Sequence, residues 1–231
     1  MSSARAAFGR DVEILLAQGL GRSYGLSSRV FVRTLPGILE SGLWRQLGEA
    51  PAATTRAVIS DVGNDILYGA SPAQILDWIE ECVRRLTAHT RDIVLAGLPV
   101  HSLRRCSPLA TAAFRTFLFP RCRLSPATIL ERAEAVSQGL CDLASARGFR
   151  FFALRPEWYG LDPIHIRPRF WRAAWAQILL GQESGGPGPG WSWSEAARLY
   201  AMWPERQRLL GLRHETPQPV RLPKGGRLWL F

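Results

Sequence analysis

The sequence predicts an α/β fold, a mainly parallel five-stranded sheet flanked by helices. Three observations lead there. Short runs rich in branched and aromatic residues alternate with longer amphipathic stretches, the order expected of strand–helix–strand units. Two of the long stretches open on a Ser-Pro pair, which suits a cap followed by the first helical position. The chain has 231 residues, 47% of them hydrophobic, enough for one buried core.

Each element has its own signal. "DVEILLAQ" and "RVFVRTL" are the first two strand candidates, followed by "TRAVISDV", "RDIVLAGLP" and "FRFFALRP". Between the third and fourth, "SPAQILDWIEECVRRLTAH" places Ile75, Leu76, Ile79, Val83 and Leu86 at helical spacing behind Ser71 and Pro72. Between the fourth and fifth, "LSPATILERAEAVSQGLCDLASARG" has Ser125 as cap, Pro126 at the first position and Gly148 as its stop. "RFWRAAWAQILLG" reads as the helix after the fifth strand.

The composition then changes. "ESGGPGPG", residues 183–190, reads as a surface connector between a main domain, 1–182, and a C-terminal appendage, 191–231. Within the appendage, Ser192 and Glu195 form a capping box, and Gly225 with Gly226 invites a hairpin in "PVRLPKGGRLWLF". The appendage is expected to pack on the main domain or on a second subunit, which would make a homo-oligomer.

Charge and cysteines narrow the class. The formal charge is +10 with a pI near 10.6. Lys224 is the sole lysine among 29 basic residues, and the arginines are spread along the whole chain. That spread argues against a nucleic-acid stripe and leaves an anionic small substrate as the reading of the charge. The four cysteines, Cys82, Cys106, Cys122 and Cys141, have no metal-ligand spacing, so no metal or cofactor is expected and the thiols read as reduced. "VEILLAQGL" falls short of the roughly 20 apolar residues of a membrane span, and the start lacks a signal-peptide layout. A cytoplasmic protein without a membrane span is the expectation.

In open α/β sheets functional groups collect beyond the C-terminal strand ends. There the chain offers "GLGRSYG" with Ser23, "TLPGILESG" with Gly37, "DVGND" with Asn64, and "GLDPIHIRP" with Asp162 and His165 between two prolines. A serine hydroxyl needs a base to act as nucleophile, and His165 is suited to take and return its proton while Asp162 orients the ring. A developing oxyanion needs fixed donors, which the Ser23 N–H, the Gly37 N–H and the Asn64 amide would supply. Arg22, Trp158 and Arg167 flank these positions as candidate substrate contacts, the arginines for an anionic group. His89, His101 and His214 have no comparable neighbours in sequence.

These blocks, Gly21–Gly25, Gly37, Gly63–Asp65 and Asp162–His165 in that order over residues 12–181, resemble the SGNH or GDSL-type serine hydrolases. Two positions depart from the usual pattern, Arg22 where an aspartate is usual and Val62 where a glycine is usual. The resemblance implies a flavodoxin-like three-layer sandwich and an esterase, with carboxylic esters or thioesters cleaved through an acyl-enzyme on Ser23. "GRSYG" also fits the G-x-S-x-G elbow of α/β-hydrolases, but one preceding strand and an acid three residues from its base do not suit that fold. The alternative is a non-catalytic member of the fold that binds a ligand, a polyanion among the options.

Overall fold

The long helices start and stop where their end residues dictate. The computed structural model describes residues 2–106, 119–160, 162–181, 197, 201–222 and 225–231. Its elements are α1 (Ser2–Phe8), β1 (Glu13–Leu16), β2 (Ser28–Val30), β3 (Arg33–Leu35), α2 (Leu43–Glu49), β4 (Ala57–Ile59), α3 (Asn64–Leu67), α4 (Pro72–Leu86) and β5 (Ile93–Ala96). After these come α5 (Val100–Arg105), α6 (Pro126–Arg147), β6 (Arg150–Phe152), α7 (Trp171–Leu180), β7 (Arg206–Leu209), β8 (Leu212–Glu215), β9 (Val220–Arg221) and β10 (Arg227–Leu230). At α4 the Ser71 hydroxyl accepts the Gln74 N–H at 3.2 Å, and at α6 the Ser125 hydroxyl accepts the Thr128 N–H at 3.1 Å. Gly148 and Gly181 end α6 and α7 in the left-handed conformation.

The core lies on a parallel sheet in the order β4-β5-β6. Every residue of β5 is buried, the pattern of a strand covered on both faces. Helix α4 contributes Ile75, Ile79 and Val83, and α6 contributes Ile129, Val136 and Leu140, to one cluster with Ile59, Ile93 and Leu95. At about 25 cal/mol per Å² of apolar surface, each fully buried residue of this kind contributes roughly 1.5–3 kcal/mol.

The fold is therefore mixed α/β, but the expected five-stranded parallel sheet is corrected to three strands among the described residues. The first candidate, β1, pairs in parallel with β10 instead, Glu13 opposite Arg227 and Leu16 opposite Leu230. An apolar run announces that it will be covered, not by which strand, and here Leu228 and Leu230 are both buried. The second candidate, 29–35, is not one strand. It reverses at Phe31–Val32 into the antiparallel pair β2-β3, with Phe31 at φ 53. A bulky residue seldom takes that conformation, so no glycine or asparagine marked the turn.

Strands β7 to β10 return to those same strands. β7 pairs with β3 and with β8, completing the antiparallel sheet β2-β3-β7-β8, and β9-β10 forms a hairpin across Gly225 and Gly226 beside β1. The connector at 183–190 and the capping box at Ser192 and Glu195 lie outside the described residues. Among the described residues no helix is long and apolar enough to cross a membrane.

Candidate active site

Three loops converge beyond the C-terminal end of β4. The Tyr24 hydroxyl donates to the Ser60 carbonyl at 2.7 Å, tying the loop at 21–25 to that strand end. Gly37 lies against the same loop. A Cβ at position 37 would sit 3.1 Å from the Tyr24 carbonyl oxygen and 3.2 Å from the Leu26 nitrogen, a tight fit against backbone that favours glycine. The following N–H groups of Ile38 and Leu39 donate to the carbonyls of Ser23 and Tyr24, each at 3.0 Å. From the loop after β4, the Asn64 amide donates to the Arg22 carbonyl at 3.2 Å. Ser23, Gly37 and Asn64 are thereby brought to one place.

Ser23 itself is fully buried. Its hydroxyl donates in a short hydrogen bond to Oδ1 of Asp65 and accepts the Leu26 N–H at 2.8 Å. Its own N–H donates to the Ser28 hydroxyl at 2.7 Å. Asp65 also receives the Tyr24 N–H. Burial pushes the Asp65 carboxyl up to about 6, with the bonds from Ser23 and Tyr24 opposing that rise. In this state the serine is held by an acid, and its N–H and the Asn64 amide, both candidate oxyanion donors, serve the loops internally.

Asp162 and His165 form a pair in the long loop after β6. Asp162 Oδ1 accepts the N–H groups of Ile164 and His165 at 3.0 and 3.1 Å, and Oδ2 lies 2.7 Å from Nδ1 of the imidazole. Pro163 and Pro168 exclude helix here, so the short side chain organises the turn. The hydrogen bond to Asp162 raises the His165 pKa above its ordinary value, while partial burial opposes it. Burial pushes the Asp162 carboxyl up, and the His165 ring and Ile164 N–H outweigh this to leave it below the usual range. Asp61, in the loop that carries Asn64, acts electrostatically on the His165 ring. Serine and histidine each have a carboxylate of their own.

The flanking residues have structural surroundings. Arg22 is 3% exposed, its Nη1 donates to the Phe231 carbonyl at 2.8 Å, and among the described residues Nε and Nη2 have no hydrogen-bond partner. Burial, with Arg33 adding repulsion, pushes its pKa down to about 10. Trp158 is 3% exposed, with its ring stacked 5.8 Å from that of Phe152. Arg167 donates to the Glu157 carbonyl and lies over the Phe170 ring. His214 packs edge-on against Trp203.

Sequence reasoning passed over Asp65, Asp61 and Tyr24 as site residues. Asp65 had a signal in its adjacency to Asn64, whereas the Tyr24 anchor depends on a loop packing that no local pattern encodes. Comparison of the chain with protein-family models, with curated proteins and with solved structures gave no match.

Proposed function

We propose that the chain is a serine hydrolase that cleaves carboxylic esters or thioesters through an acyl-enzyme on Ser23, within a variant of the SGNH-type sandwich centred on β4-β5-β6. The observation that carries this reading is the Asp162–His165 pair, with 2.7 Å between Oδ2 and Nδ1. That bond leaves Nε2 as the basic nitrogen, the arrangement of a general base fixed by an acid. Asp61 couples the pair electrostatically to the loop of Asn64, and Asn64 is bonded to the Arg22 carbonyl beside Ser23.

In the reaction Ser23 Oγ leaves Asp65, gives its proton to His165 and attacks the acyl carbon. The carbonyl oxygen gathers charge opposite the Gly37 N–H and the Asn64 amide, the C–O or C–S bond breaks, and His165 returns the proton to the leaving group. Water then enters by the same route, with His165 as base, and releases the acid. The role for Arg22 in holding an anionic substrate is not part of this proposal, because its guanidinium faces the interior. The four cysteines are free thiols, which fits a reducing compartment such as the cytoplasm.

A fluorophosphonate probe and p-nitrophenyl acetate test the reading. Ser23 is expected to carry the label, Ser23→Ala to abolish it, and His165→Ala to slow acetate release by about 100-fold or more. A second reading, a ligand-binding member of the fold without catalysis, is favoured by the complete burial of Ser23 and its bond to Asp65. An unlabelled Ser23 in a folded protein would establish that second reading over the first.

A further inference from the structure

The sheet β2-β3-β7-β8 ends in two hairpin tips that put apolar side chains into solvent. Val32 is 49% exposed, Leu210 74% and Leu212 68%, and Phe31 beside them is 62% exposed. The tips are joined, since the Leu210 N–H donates to the Val32 carbonyl at 2.9 Å. Leu210 and Gly211 have φ of 51 and 86, the two positive values of a type I′ turn. That turn favours asparagine or glycine at its first position, because a leucine there is strained. A strained leucine that is also the most exposed large apolar residue among the described residues contributes nothing to the core, which points to a use outside it.

The outer face of the same sheet is cationic. Directly opposed residues of an antiparallel pair share a face. Arg29 opposes Thr34, Thr34 opposes Arg208, and Arg208 opposes Arg213, so three arginines form one row across the four strands. All three are exposed. Arg213 pairs with Glu215, while no carboxylate among the described residues pairs with Arg29 or Arg208. Like charges directly opposite each other, as at Arg208 and Arg213, destabilise a sheet unless an anion lies against them.

The spacing joins the two features. Arg29 and Arg208 each lie two residues before a tip, so at about 3.3 Å per residue the row stands roughly 7 Å behind Phe31 and Leu210, with Leu212 one residue from Arg213 between them. An apolar element seated about 5–10 Å into a bilayer boundary would place such a row at the level of the lipid phosphates. We propose that the two hairpin tips insert into the surface of an anionic bilayer, with Val32, Leu210 and Leu212 in the acyl boundary and Arg29, Arg208 and Arg213 on the headgroups. This surface does not depend on whether Ser23 is catalytic, and it gives the charge of +10 a directed use.

Co-sedimentation of the full chain with sucrose-loaded vesicles tests it, comparing phosphatidylcholine alone with phosphatidylcholine mixed with phosphatidylserine. The protein is expected to sediment with the mixed vesicles and to remain in solution with the neutral ones. Arg29→Gln with Arg208→Gln should lower partitioning about 30-fold, at about 1 kcal/mol per basic residue near the surface. Leu210→Asn should also lower it, and since asparagine suits the turn, its unfolding midpoint should match or exceed that of the parent. Absence of sedimentation, equal binding to both vesicles, or undiminished binding by Leu210→Asn would overturn the proposal. So would light scattering that shows Leu210 holding a second copy, or arginine-dependent binding to duplex DNA, when vesicles are not bound.

Discussion

His165 has a raised pKa because Asp162 holds its ring, and the consequence for pH follows from the sign. Stability contributed by the pair through His165 is fully present below the ordinary imidazole value of about 6.5 and is lost as pH rises through the folded value. Asp162 is depressed, so its contribution is present above its ordinary value and is lost as pH falls. In the proposed reaction His165 acts as the base and must be neutral, so turnover should rise with a midpoint above about 6.5. Asp162→Asn removes the chief cause of the rise and should move that midpoint to lower pH while reducing the maximal rate. An NMR titration of the His165 ring alongside the rate profile checks this, and an unmoved midpoint would remove Asp162 from the role of orienting acid. The pair was legible in the sequence because proline fixes the loop and the acid and base are three residues apart. The burial of Ser23 was not, because Asp65 reaches it only after two loops fold together.

The elements divide in the same way. Helices α4 and α6 carry their own boundaries, a serine whose hydroxyl meets an orphan N–H and a proline that needs none. Ser125→Ala should therefore cost about 1 kcal/mol of stability, read as a fall in urea midpoint at an unchanged slope. No fall would mean that the Thr128 N–H finds another partner. Strands β4, β5 and β6 were legible as short apolar runs rich in branched and aromatic residues, set between capped helices. The hairpin at Phe31–Val32 was hidden because its turn uses residues that elsewhere extend a strand, and its partner β7 lies far along the chain.

At the scale of the molecule, strands from both ends of the chain share sheets, β1 with β10 and β3 with β7. Leu228, fully buried in β10, is a sensitive probe of that closure. Leu228→Ala should cost about 2–5 kcal/mol and lower the urea midpoint. A midpoint unchanged within error would show that β10 adds little to the rest. Pairing of this kind is invisible to local periodicity, which explains why strands β4, β5 and β6 and the hairpin at Gly225 and Gly226 were readable while the pairing of β1 with β10 and of β3 with β7 was not.

The β1–β10 ladder also dictates an order of events during synthesis. Glu13 leaves the ribosome well before its neighbour Arg227, which emerges only after more than two hundred further peptide bonds. Until then the nascent polypeptide carries an uncovered hydrogen-bonding edge, and its closure is a slow, long-range step that invites chaperone protection.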